Sequence, residues 1–187
     1  MGSDRFSNLA LCHQLVHPIT LYSIRDNLDG TPPLRYGFPV GKRPLIVGYG
    51  NTLRGDDAVG QVAAEMLADT EWEHAQIIAR CQLVPELAEL LAEVDLVVFV
   101  DAAVGASPGE ISVSKLAASA ASTTLGHHMT PDVLLSVCDS LYQHTPDAFL
   151  VSLNVASLEL GEGLSDIAAS ALPGLLATVR NLVLEYR

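Results

Sequence analysis

Residues 95 to 101 read Asp-Leu-Val-Val-Phe-Val-Asp, an unbroken apolar run fenced by carboxylates. Side chains of a strand alternate between two faces, so a run with no polar member is buried on both. Such a strand demands a sheet covered by helices above and below, and the flanking sequence supplies both parts. Leu45-Ile46-Val47-Gly48-Tyr49 and the stretch from Ala148 to Leu153 are further apolar runs of strand length. Gln76 to Leu83 reads as another strand, and Glu110 to Val113, after the Pro108-Gly109 turn, as an edge strand. Between them lie helical spacings: Val59, Val62, Ala63, Met66 and Leu67 within 57–67, then Leu87, Leu90 and Leu91 behind Pro85. Thr130 as N-cap and Pro131 at the first helical position open a helix running to about Tyr142. Ser165 to Tyr186 is a long helix, or two that meet at Pro173-Gly174. Strands that alternate with helices need crossovers, so the predicted fold is α/β, a three-layer α/β/α sandwich around a mostly parallel sheet.

Residues 44–187 are predicted to form one domain. Residues 1–43 lack long periodic segments, carry a turn-rich patch from Asp26 to Pro33, and read as an N-terminal extension ordered only in part. Charge divides the same way. Five Lys/Arg against three Asp leave +2 on residues 1–43, so the total of −12 puts −14 on the remainder. A domain this acidic repels a phosphate backbone, which argues against nucleic-acid binding. Cys12, Cys81 and Cys138 have no paired spacing, so buried single thiols are expected rather than disulfides or a zinc knuckle. No membrane span is predicted: Asp95 and Asp101 interrupt one apolar stretch and Arg180 another. With no secretory or myristoylation pattern at the N-terminus, a cytoplasmic protein is expected.

The first strand and helix are joined by Gly48-Tyr49-Gly50-Asn51-Thr52-Leu53-Arg54-Gly55-Asp56-Asp57-Ala58-Val59-Gly60. Leu53 stands where a dinucleotide fingerprint needs its third glycine, and the Gly-Lys-Ser/Thr ending of a phosphate loop is missing. Asp56 and Asp57 would moreover repel a phosphate at the helix N-terminus. One aspartate there is explained by capping and the helix dipole. The second can face the crevice beyond the strand ends, where ligands of open α/β sheets collect. Asp101, closing the 95–101 strand, faces the same crevice and would pair with Asp57 as a cation ligand. His127-His128 precedes the Thr130-Pro131 helix, and adjacent histidines do not easily face one point, so one of them at most joins the shell. Two carboxylates and an imidazole suit a first-row metal with open positions.

These residues resemble the nickel–iron hydrogenase maturation endopeptidases. The likeness runs through Ile46-Val47-Gly48-Tyr49-Gly50-Asn51, Leu53-Arg54-Gly55-Asp56-Asp57 and Val59-Gly60. It continues through Gln82-Leu83 with Pro85-Glu86-Leu87, Phe99-Val100-Asp101-Ala102, and a histidine ahead of a helix with Leu134-Leu135. It covers Pro44 to the C-terminus. The resemblance implies a twisted five-stranded sheet between helices, of phosphorylase/hydrolase-like type. It implies Asp57, Asp101 and His127 as the catalytic and nickel-sensing set, with His128 as the alternative; some relatives carry Glu where this chain has Asp57. The implied partner is the hydrogenase large-subunit precursor, which brings its own nickel and loses a C-terminal extension. No organic cofactor is implied, and a monomer is expected. Two rivals remain beside this: a nickel-sensing module without catalysis, and a peptidyl-tRNA hydrolase-like esterase. The latter is disfavoured by Thr52 in place of proline after Asn51 and by the acidic domain. No serine or cysteine protease arrangement is expected, since Cys81 and Cys138 fall on a predicted strand and helix.

Overall fold

The structure, a computed structural model, describes residues 43–70, 72–119 and 129–186. The extension read over 1–43 therefore lies outside the described residues except for Arg43, and so do His127 and His128. Among the described residues ten elements follow one another. They are β1 (Leu45–Tyr49), a 3₁₀ turn (Gly55–Ala58), α1 (Val59–Asp69), β2 (Gln76–Arg80), α2 (Leu87–Ala92), β3 (Leu96–Val104), β4 (Ile111–Leu116), α3 (Pro131–Tyr142), β5 (Asp147–Val155) and α4 (Asp166–Glu185).

The five strands form one sheet in the order β2-β1-β3-β5-β4. β1 pairs in parallel with β2 and β3, and β3 with β5, while β4 runs antiparallel along the edge of β5. β3 is thus central, which explains its unbroken apolar run: Leu96 to Val100 are all at most 1% exposed. Each such side chain contributes about 1.5–3 kcal/mol by leaving water. The pleat sends Leu96, Val98 and Val100 into one core with α1 and α4, and Val97 and Phe99 into another with Leu87 and Leu91 of α2 and Leu134, Leu135 and Cys138 of α3. Helices cover both faces, as the apolar run required.

Four strands end elsewhere than the sequence-based boundaries, β2 earlier and β3, β4 and β5 later, and in each the partner strand sets the end. β1 stops at Tyr49, opposite Arg80, so β2 has nothing to pair with beyond Arg80 and ends three residues before Leu83. β3, by contrast, keeps its partner β5 as far as Val104 opposite Val155, and so continues past Asp101. Cys81 consequently leaves the sheet and is exposed, contrary to the packing role expected for it, whereas Cys138 is buried as expected. Cys12 lies outside the described residues.

Ser165 to Tyr186 resolves into a single helix, α4, with Pro173 inside it. By length and composition α4 could cross a bilayer. It is used otherwise here: Ala168, Leu172, Leu175, Val179 and Val183 form a stripe buried in the core beneath β3 and β5.

Candidate functional site

Along this sheet the chain leaves β1 toward β2 on one side, then returns to place β3 on the other. The segments that follow β1 and β3 therefore diverge and open a crevice at the carboxyl ends of the strands, the position where α/β sheets bind ligands. A cleft of about 510 Å³ lies there, lined by Tyr49, Gly50 and Asp57 from the first turn, Cys81 to Pro85 after β2, Asp101 on β3, and Met129 to Pro131 at the start of α3.

The glycine turn is shaped by its own hydrogen bonds. Gly50 has φ of +146°, and a Cβ there would lie 1.7 Å from the Asp57 carbonyl oxygen, so no larger residue fits. Asn51 Oδ1 accepts from the Leu53 amide at 2.9 Å, an Asx turn that starts the reversal. The Asn51 amide donates to Asp57 Oδ2 at 2.9 Å, which fixes the Asp57 carboxylate on the cleft side. Close packing completes the placement. A Cβ on Gly60 would sit 2.1 Å from the Val100 carbonyl oxygen and 2.4 Å from that of Tyr49, so this glycine lets α1 lie directly on β1 and β3.

The adjacent aspartates divide their work, and neither makes a side-chain cap to α1. Asp56 is buried and turns away from the cleft. Its Oδ1 accepts from the Ser165 amide at 2.7 Å and its Oδ2 from the Ser165 hydroxyl at 2.8 Å. The Ser165 hydroxyl oxygen in turn accepts from the Ala168 amide, capping α4. Asp56 is a tie between the first turn and the last helix, and Asp57 is the one that lines the cleft. Thr130 occupies the N-cap of α3 as expected, but its hydroxyl donates to Asp132 Oδ1 instead of accepting from a helix amide.

Asp101 sits one residue beyond the last β1–β3 pair, Gly48 opposite Val100. Its Oδ1 accepts from the Ala102 amide at 2.8 Å, and Tyr49 lines the cleft with it. Burial pushes Asp101 up to about 6; the hydrogen bonds from Tyr49 and Ala102 oppose that rise and the negative charge of Asp57 adds to it. Tyr49 is held far above the ordinary phenol value, first by burial, then by the charge and hydrogen bond of Asp101, then by Asp57 and Asp132. No basic side chain is among the described residues lining the cleft. Two partly buried carboxylates in this lining give the cleft a negative potential.

Asp57 and Asp101, chosen from the sequence as a pair, thus line one cleft. His127 and His128 lie outside the described residues, and Met129, which follows them in sequence, lines the same cleft. Sequence reasoning missed Tyr49. It ends an apolar run and counted as one more apolar strand residue, although its hydroxyl was the polar group nearest the glycine turn.

The fold and cleft together define an α/β protein with an acidic, ligand-ready crevice at its topological switch point. No family model and no curated protein matches the chain by sequence. Solved structures do match. The chain is similar to the nickel–iron hydrogenase maturation protease HycI of Thermococcus kodakarensis KOD1, at 26% identity over 78% of this chain and 95% of that one, with a TM-score of 0.61. It is similar to the hydrogenase maturating endopeptidase HybD of E. coli, at 23% identity over 76% and 93%, also with a TM-score of 0.61. A hydrogenase 2 maturation peptidase from a Thaumarchaeota archaeon matches at 23% identity over 76% and 98%, with a TM-score of 0.56. The chain has the fold of the hydrogenase maturation proteases.

Proposed function

We propose that this chain is an endopeptidase that removes the C-terminal extension of a nickel–iron hydrogenase large-subunit precursor once nickel has been inserted. The observation that carries this reading is the meeting of Asp57 and Asp101 in one acidic cleft, on a fold shared with proteins described as hydrogenase maturation proteases. In this reading nickel arrives with the substrate, and Asp57, Asp101 and His127, or His128 in its place, complete its coordination. Carboxylate and imidazole donors suit Ni²⁺. The bound ion brings Lewis acidity to the neighbouring peptide bond, and a cleft carboxylate takes the proton released by the attacking water. In this reading the protein works in the cytoplasm.

The test is incubation of the full chain with precursor large subunit, nickel-loaded and nickel-free, followed by mass measurement. Shortening of the loaded precursor alone is expected. Shortening of neither form, with binding of the loaded one, would leave a nickel-sensing module and end the peptidase reading.

A further inference from the structure

Leu53 and Leu160 are 65% and 85% exposed. Single exposed leucines are ordinary on a protein surface. This pair differs in where it stands and in how firmly it is held. Leu53 lies in the turn whose two ends, Gly50 and Asp57, line the cleft. Leu160 belongs to the 158–163 strip, which follows the carboxyl end of β5 and returns to that turn. The Gly161 amide donates to the Leu53 carbonyl at 3.1 Å, the Gly55 amide to the Gly161 carbonyl at 2.8 Å, and Arg54 Nε to the Leu158 carbonyl at 3.0 Å. The two leucines thus stand on adjoining backbone, and the Asp56–Ser165 tie secures the same join. Leu158 and Leu164 pack against the core on either side of Leu160. The strip is anchored by its neighbours and keeps Leu160 in water, a hydrophobic cost that a docked partner removes.

The surrounding charge is negative. Glu159, Glu162 and Asp166 are exposed beside Arg54, and Asp57 and Asp101 lie in the cleft. Such a surface is complementary to a segment that carries apolar and basic side chains together. At about 510 Å³ the cleft is the size that encloses a drug-sized ligand, so the chain of a protein substrate runs on across its rim. We propose that Leu53 and Leu160 are the docking lip of the cleft, seating an apolar and basic segment of the precursor while its scissile bond lies at Asp57 and Asp101. The inference rests on the reading of this chain as a precursor peptidase. A contact made alike in the bound substrate and in the transition state lowers KM and leaves kcat unchanged.

The experiment measures kcat and KM for shortening of nickel-loaded precursor by the full-length wild type, Leu53→Ser and Leu160→Ser, with each thermal midpoint. Leu141→Ser is the control: Leu141 is 67% exposed and lies about 15 Å along α3 from the end that lines the cleft. Each lip variant should raise KM about tenfold at unchanged kcat and midpoint, and Leu141→Ser should match the wild type. Reversing Glu159 and Glu162 together to Lys should raise KM as well. Wild-type KM in both lip variants, or an equal rise in Leu141→Ser, overturns the docking lip and leaves the peptidase reading standing. An unchanged or lower KM after the charge reversal overturns the basic partner segment. Sedimentation of the wild type as a dimer that Leu160→Ser dissolves assigns the lip to a second copy of this chain and overturns the proposal. No shortening by the wild type overturns the peptidase reading and the docking lip with it.

Discussion

At Asp101 a buried position and two hydrogen-bond donors act in opposite directions on one carboxyl group, and burial prevails. The folded-state value is lifted from the ordinary 3.8 to about 6, so between these limits the folded chain keeps a proton that the unfolded chain has released. The sign follows from linkage. Stability from this group is complete below about 3.8 and is lost as pH rises through about 6. Urea unfolding of the wild type should therefore show a decline across this window that Asp101→Asn lacks; identical pH profiles would refute the burial argument. A proton competes with a cation for the same oxygens, so Ni²⁺ uptake should weaken as pH falls below about 6. Asp57 and Asp101 carry the proposed chemistry jointly. Asp57→Ala or Asp101→Ala should each lower precursor shortening by about a hundredfold or more while circular dichroism stays native. Full activity in both variants would remove the carboxylates from the mechanism.

Among the elements, the 3₁₀ turn and α4 are far apart in sequence and joined through Asp56. Two hydrogen bonds to a buried carboxylate hold Ser165 at the start of α4, and the neighbouring strip is bound by backbone, with the Gly55 amide donating to Gly161 at 2.8 Å and the Gly161 amide to Leu53 at 3.1 Å. Asp56→Ala should cost about 2–4 kcal/mol in urea unfolding, since charged hydrogen bonds contribute about 1.5–3 kcal/mol each and partly share their effect. It should leave Ni²⁺ affinity unchanged, which separates this aspartate from its neighbour. The sequence pointed to Asp57 for the cleft but not to the job of its neighbour: the two side chains are chemically identical, and their partners, Ser165 for Asp56 and Asn51 for Asp57, are chosen by the fold. The layers were legible because burial on both faces leaves an uninterrupted apolar run, as in β3. Strand ends were less so. They depend on where the neighbour stops, and nothing in Arg80-Cys81-Gln82 records that β1 ends at Tyr49. Asp101 stood out because a carboxylate at the end of an apolar run breaks the pattern; Tyr49 was missed because an aromatic ring continues it.

For the whole molecule, charge sets two salt responses of opposite sign. The chain carries 22 acidic side chains against 10 Lys and Arg, so repulsions outnumber attractions even with pairs such as Lys115 with Asp147 at 2.8 Å. Compact folding concentrates that excess, and unfolding relieves it. Raising salt from about 0.01 M to about 1 M shortens the screening length from about 30 Å to about 3 Å, which removes the long-range repulsion first. The thermal midpoint should therefore climb with KCl. The cleft responds the other way, because the potential that disfavours the folded state is also what draws a cation toward Asp57 and Asp101. Ni²⁺ affinity should fall over the same range of salt. Calorimetric titration and thermal unfolding in a common KCl series measure both. A midpoint that drops with salt would mean that local pairs such as Lys115–Asp147 outweigh the net charge, and a salt-independent Ni²⁺ affinity would mean that the ion is held by its direct ligands without help from the acidic surface.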